Sequence, residues 1–154
     1  MIIRPAAEHE LPKLSNLCLR SKAHWGYDTE FLDACREELT LSPSELVATS
    51  VVVAESGTQL VGIAQVSVEG TDCDLLKLFV DPDHIGRGFG EALLKWAVQE
   101  GRRLGAQRMT IEADPEAEPF YRRMGAQTIG QVPSGSIPGR NLPLLAFQLT
   151  DASP

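Results

Sequence analysis

Three alternate glycines, Gly86, Gly88 and Gly90, carry the clearest chemistry in the sequence. They follow an apolar run, Leu78-Phe79-Val80, and a turn, Asp81-Pro82-Asp83, and Ile85, Arg87 and Phe89 are interleaved with them. The chain then enters Glu91-Ala92-Leu93-Leu94, the start of an amphipathic segment. Glycine has no Cβ, so the backbone can come close to a ligand. The N–H groups of a helix's first turn lack partners within the helix and point at whatever anion lies beyond them. Strand, glycine turn and helix in this order make a cradle suited to a pyrophosphate. Plain tightness of a strand-to-helix connection is the simpler reading of a lone Gly-x-Gly, but three alternate glycines around an arginine exceed that need. A Walker A loop requires Gly-Lys-Ser/Thr, which is absent. A Rossmann fingerprint follows the first strand of its unit and is answered by an acid about 20 residues on, whereas this turn comes after several strands.

A second cluster, Ser21-Lys22-Ala23-His24-Trp25-Gly26-Tyr27-Asp28, combines a cation, an imidazole and two aromatic rings. His24 supplies an imidazole, a side-chain type suited to proton transfer. Trp25 and Tyr27 serve ligand binding or plain packing at a helix–helix corner equally well. Arg140 stands in a loop stiffened by glycine and proline, Pro133-Ser134-Gly135-Ser136-Ile137-Pro138-Gly139. It can grip a carboxylate or simply lie on the surface. Cys18, Cys35 and Cys73 are far apart, with no CxxC and no histidine at metal-ligand spacing. They read as reduced core residues, and no metal is expected.

The elements that must position these groups follow from periodicity. Ile2-Ile3-Arg4-Pro5 is a short strand stopped by proline. Leu11, Leu14, Leu17 and Cys18 predict a helix over 7–22. Phe31, Leu32, Cys35 and Leu39 predict a second, capped by Asp28 or Thr29. Val51-Val52-Val53-Ala54 and the run from Leu60 to Val66 form two strands joined through Ser56-Gly57-Thr58. The apolar run 75–80, broken by Lys77, reads as a central strand covered on both faces. A helix over 88–104 follows, then a strand through Met109, Ile111 and Ala113. Asp114-Pro115 predicts the start of a short helix carrying Phe120 and Met124, with Gly125 as its stop. Two late strands lie near Thr128 and over 144–149. The order β-α-α-β-β-β-α-β-α-β-β defines a single α/β domain over 1–154, with a mixed sheet and about four helices.

These motifs together resemble the GNAT superfamily of N-acetyltransferases, across essentially the whole chain. The family signature Gln/Arg-x-x-Gly-x-Gly/Ala maps onto Ile85-Gly86-Arg87-Gly88-Phe89-Gly90, with Ile85 departing from the usual Gln or Arg. The family's late Phe-Tyr followed by Gly maps onto Phe120-Tyr121 and Gly125. The resemblance implies a mostly antiparallel sheet whose central strands splay apart to admit the pantetheine of acetyl-CoA. The co-substrate site would comprise Leu78, Phe79, Val80, Ile85, Gly86, Arg87, Gly88, Phe89, Gly90, Glu91, Asp114, Ala117 and Phe120. It also implies direct acetyl transfer to a primary amine of a small molecule or peptide. Tyr121 would give the leaving thiolate its proton. The backbone N–H of Phe79 or Val80 would face the developing oxyanion. Asp74, where some family members carry a glutamate, is the first candidate for the base; Glu112, His24 or a water chain are the others. The acceptor would meet His24, Trp25, Tyr27 and Arg140.

Composition bounds the partners. A net charge of −7, from 14 basic and 21 acidic residues, argues against nucleic acid. No apolar run approaches a membrane span and no signal-peptide pattern opens the chain, so a cytoplasmic location is the expectation. A homodimer is compatible with the sequence. Two further readings stay open: a non-catalytic acyl-CoA-binding module of the same fold, and a nucleotide-phosphate binder using the same turn.

Overall fold

The structure is a computed structural model and describes residues 1–149. Strand β1 (Ile2–Pro5) is followed by a 3₁₀ turn and two helices, α1 (Leu11–Ala23) and α2 (Thr29–Leu39). After α3 (Pro43–Ala48) come β2 (Ser50–Ser56), β3 (Gln59–Glu69) and β4 (Asp72–Val80). Helix α4 (Phe89–Arg103), β5 (Arg108–Glu112), α5 (Glu118–Arg123), β6 (Gln127–Pro133) and β7 (Asn141–Gln148) complete the chain. One seven-stranded sheet runs in the order β1-β2-β3-β4-β5-β7-β6, antiparallel throughout except for the parallel β4–β5 pair. The fold is the mixed, mostly antiparallel α/β sheet that the sequence implies. No helix among the described residues is long and apolar enough to cross a membrane.

Alternation along the strands divides the core into two sides. Val51, Val53 and Ile63 meet Leu14, Leu17 and Cys18 of α1 and Cys35 and Leu39 of α2. Val52, Ala54, Val61 and Ala64 meet Phe89 and Leu93 of α4. Helix α4 lies close because β3 offers no side chain at Gly62, where a Cβ would stand 2.6 Å from Leu93 Cδ1. A third cluster, around Leu94, Met109, Ile111, Tyr121 and Leu145, joins α4 and α5 to the far half of the sheet.

Local signals account for most boundaries. Asp28 caps α2 by accepting the Phe31 N–H at 2.8 Å. Gly125, at φ +108°, ends α5 as the glycine stop expected of it. Four details differ from expectation. The first helix starts at Leu11, because Glu8–Glu10 form the tighter 3₁₀ turn. Helix α3 is a fifth helix; its six residues are too few to show a helical period, although Ser42, Pro43 and Glu45 spell a capping box. Asp114 does not start α5. Its Oδ1 accepts the Glu116 N–H at 2.9 Å in a preceding turn, and the helix begins at Glu118. Strand β4 is not covered on both faces either: Cys73, Leu75 and Lys77 are buried while Asp74 and Leu76 are exposed.

Candidate active site

The site starts from that uncovered strand. Strands β4 and β5 pair only at Asp72, Cys73 and Asp74, opposite Arg108, Met109 and Thr110. Past Thr110, β5 turns its bonds to β7 alone, and the two strands part. The parting coincides with a bulge. Gln65 of β3 pairs with Lys77 and Val66 with Leu75, so Leu76 has no partner. An extra residue of this kind bends its strand and increases the local twist. Asp81 N–H donates to Val61 O at 2.8 Å, in step with the antiparallel register of β3 and β4. Amides alternate in direction along such a strand. The Phe79 N–H therefore points at β3, and those of Leu78 and Val80 face the open edge. Between the two sequence candidates for the oxyanion donor, the backbone favours Val80.

A cleft of about 570 Å³ fills the gap. Its floor includes Leu76, Lys77, Leu78, Phe79 and Val80, and one end is the glycine turn. Gly86 and Gly88 hold φ of +83° and +87°, a region that side chains avoid. A Cβ at either position would meet nothing within 4 Å, so open space lies directly over the backbone. Gly88 is the residue before α4 and supplies no side-chain cap. The first helical bond is Ala92 N–H to Gly88 O at 3.1 Å, which leaves the preceding amides of the turn without helical partners. Bare, positively biased donors beside open space fit a pyrophosphate. Ile85, Gly86, Gly88, Gly90, Glu91, Ala117, Phe120 and Asp114 all line the cleft. Arg87 is exposed outside its lining. Phe89 turns inward, 7% exposed and edge-on to His84, and does not line the cleft.

Tyr121 lies on the cleft wall, on the buried stripe of α5. Burial, with the charge of Asp114 adding to it, pushes its hydroxyl well above the ordinary phenol value. Such a group keeps its proton at neutral pH and can donate it. Asp74 is elsewhere. It stands on the paired part of the strands, accepts the Thr110 hydroxyl at 2.5 Å and does not line the cleft. Glu112, the last residue of β5, is exposed and does line it.

A second part of the lining is built around Asp114. Its carboxylate receives Lys22 Nζ at 2.7 Å, the Tyr27 hydroxyl at 2.9 Å and the Glu116 amide, with Arg140 Nη2 at 3.6 Å. Burial alone would raise its pKa. The Lys22 bond, the Glu116 amide and the Tyr27 hydroxyl outweigh that and hold it below the usual carboxylate range. Burial and Asp114 push Tyr27 up to about 12, so it stays a donor. Arg140 donates to the Tyr27 hydroxyl at 2.7 Å and lies over the stacked Tyr27 and Phe31 rings, 5.1 and 4.8 Å from their centres. Asp114, proposed from sequence for the co-substrate side, thus joins Tyr27 and Arg140, proposed for the acceptor side. Trp25 lines the cleft; His24 is exposed, edge-on to Trp25, and does not.

Sequence reasoning missed a polar chain that leads from Lys77 on the cleft floor into the core. Lys77 Nζ donates to Gln65 Oε1 at 3.1 Å, and Gln65 Nε2 donates to Glu45 Oε2 at 2.8 Å and Thr49 Oγ1 at 3.1 Å. The signal was present as a lysine interrupting the apolar run of β4. Among the described residues no group of three His, Cys, Asp or Glu side chains is placed to hold a metal.

Known proteins share this fold. The structure is similar to PaiA N-acetyltransferase of Thermoplasma acidophilum in complex with coenzyme A, at TM-score 0.80 and 17% identity, covering 96% of this chain and 98% of that one. It is also similar to yncA of Salmonella typhimurium with acetyl-CoA, at TM-score 0.70 and 23% identity, covering 100% and 96%. Likenesses at this identity show the fold. In sequence it is 25% identical over 89 residues to the uncharacterized N-acetyltransferase ycf52 of Porphyra purpurea, covering 57% of this chain and 51% of the relative. It is 41% identical over 54 residues to the uncharacterized N-acetyltransferase YafP of Escherichia coli, covering 35% and 33%. The chain therefore spans about half or less of the length of these relatives. The family model described as an acetyltransferase (GNAT) domain matches residues 23–134, a stretch that contains the glycine turn, the splayed strands and Tyr121. By that match, and by a sheet that parts beside a bare glycine turn, the chain belongs to the GNAT acetyltransferase family.

Proposed function

We propose that this protein transfers an acetyl group from acetyl-CoA directly to a primary amine of a small molecule or peptide, within a ternary complex. One observation carries the reading: the unpaired edge of β4 runs straight into the donor-rich turn at Gly86–Gly88, inside one continuous cleft. Amides of an extended pantetheine add to such an edge as a strand would, with the pyrophosphate at the turn. The Val80 N–H then faces the thioester oxygen, where negative charge develops. Tyr121 supplies the proton that the departing thiolate takes. The amine's proton passes to water or to Glu112, while Asp74 stays engaged with Thr110 on the paired part of the strands.

Direct transfer is favoured over an acyl-enzyme by the state of the cysteines. Burial pushes the Cys18 thiol up to about 12 and the Cys73 thiol up to about 11, and neither lines the cleft. Cys35 does line it, but its polar neighbour is the Ser136 hydroxyl at 3.6 Å, with no base beside it among the described residues.

The test is initial-rate kinetics of CoA release with both substrates varied over an amine panel. Intersecting lines, with no acetyl adduct on the protein by mass spectrometry, are the expected result. Parallel lines and an adduct would replace direct transfer with a covalent route. Tight acetyl-CoA binding without transfer would favour a binding module, a reading that Ile85 in place of the family's Gln or Arg supports.

A further inference from the structure

The acceptor half of the cleft has a charge balance unlike that of the whole chain. Among its lining residues, three cations have side chains less than a fifth exposed: Lys22 at 14%, Lys77 at 9% and Arg140 at 18%. The corresponding acids number one, Asp114 at 9%. Asp114 is already fully engaged by Lys22, Tyr27 and the Glu116 amide. A cationic wall is thus buried in a protein whose net charge is −7.

These cations are underused. Lys77 spends one N–H on Gln65 Oε1. Its nearest carboxylate, Glu45, is 3.8 Å away and already takes the Gln65 amide and the Ser42 N–H. Burying an ammonium with donors left over is costly unless something else meets it. Arg140 uses Nη2 on Tyr27 and, at 3.6 Å, on Asp114, and the rest of its fork has no hydrogen-bond partner among the described residues. Its plane is fixed over two rings, so little side-chain entropy remains to be lost on binding. Lys22 likewise gives a single bond to Asp114.

We propose that the acceptor carries a carboxylate beside its amine and that Lys77, Lys22 and Arg140 hold that carboxylate. This rests on the acetyl-transfer reading above. Four exposed acids line the cleft, Glu38, Glu91, Glu112 and Glu116, and of these Glu112 and Glu38 are assigned to the ammonium end. Amino acids and their ω-amino relatives are the matching class; polyamines and amines without an anion are not. Lys77 acts here as a specificity residue, with no part in bond making.

The experiment compares matched acceptors at saturating acetyl-CoA: a set of α- and ω-amino acids, each beside its methyl ester and its decarboxylated amine. Losing hydrogen bonds to a charged partner should reduce kcat/KM for the esters by about 10- to 100-fold, mostly through KM. Lys77→Gln and Arg140→Gln should each lower kcat/KM for the acids by about 10-fold or more and for the esters by clearly less, so that most of the preference disappears. Esters that match or outperform the acids would overturn the proposal and leave acetyl transfer standing. Equal loss on acids and esters in a folded Lys77→Gln protein would overturn it too, since Lys77 would then serve the reaction itself. Absence of transfer to every acceptor, despite bound CoA, would remove the transfer reading and this proposal with it. Should Lys77→Gln fail to fold, Arg140→Gln and Lys22→Gln decide the question on the same panel.

Discussion

At the scale of single residues, Tyr121 and Gly88 separate chemistry from binding. Tyr121→Phe keeps a ring that packs among Leu94, Ile111 and Leu145, and no hydrogen bond among the described residues holds the hydroxyl that is lost. Folding and acetyl-CoA affinity should therefore be preserved. General-acid help is worth about 10²–10⁴-fold. A thiolate is a fair leaving group unaided, so kcat should fall by about 10²-fold with KM for acetyl-CoA unchanged. Full activity of the phenylalanine variant, with an acceptor for which chemistry limits the rate, would assign the proton to water or to the acceptor. Gly88 asks the opposite question. At φ +87° any side chain is strained, by roughly 1–2 kcal/mol, so Gly88→Ala should lower Tm by a few degrees. Its Cβ would enter the empty space over the turn. Calorimetry should show CoA binding weakened by about 10-fold or more, and unchanged affinity would move the pyrophosphate elsewhere.

At the scale of elements, the position of α4 depends on a missing side chain. Gly62→Ala would place a methyl 2.6 Å from Leu93 Cδ1 and 3.3 Å from the Phe79 carbonyl oxygen. Leu93 can swing, but Phe79 lies on the strand that floors the cleft. Overpacking of this kind costs about 1–3 kcal/mol. Gly62→Ala should therefore reduce stability in denaturant melts and also impair acetyl-CoA binding; a variant as stable as the parent would show that α4 has slack. The helices with a full apolar stripe, the β2–β3 turn and the Gly125 stop were legible in the sequence, because each depends on neighbours a few positions apart. The glycine turn was legible for the same reason. Helix α3 was not, since six residues cannot display a period. The bulge at Leu76 was not, because it exists only in the pairing of β4 with β3. Asp114 read as a helix cap because its partners, Lys22, Tyr27 and Arg140, lie far off in sequence.

At the scale of the molecule, acid should loosen the edge of the sheet that opens the chain. Arg4 on β1 bonds Glu10 of the 3₁₀ turn and Glu55 of β2. Its hydrogen bond, against the opposing effect of burial, lowers the Glu10 carboxyl from 4.5 to about 2. A carboxyl depressed in the folded state stabilises fully above its unfolded value, and that contribution is lost as pH falls through the folded one. Tm should decline between about pH 4.5 and about pH 2, and Arg4→Met should flatten the decline. Identical slopes in both proteins would assign acid sensitivity to other carboxylates.

The bonds that assemble the acceptor wall span 92 residues from Lys22 to Asp114, 87 from Tyr27 to Asp114 and 113 from Tyr27 to Arg140. Loops of that length close only after the intervening chain is compact, so this wall forms late in folding. Its rings, Tyr27 and Phe31, are only partly buried, whereas Leu93 and Ile63 are fully buried. Subglobal opening of the segment around Tyr27 and of the loop bearing Arg140 should cost less free energy than unfolding α4 or β3. Amides near Phe31 should then exchange with deuterium well before those near Leu93, and an acceptor bound across Asp114's partners should slow the first set and leave the second unchanged. The part of the protein that chooses the substrate is, on this account, the part that comes apart most readily.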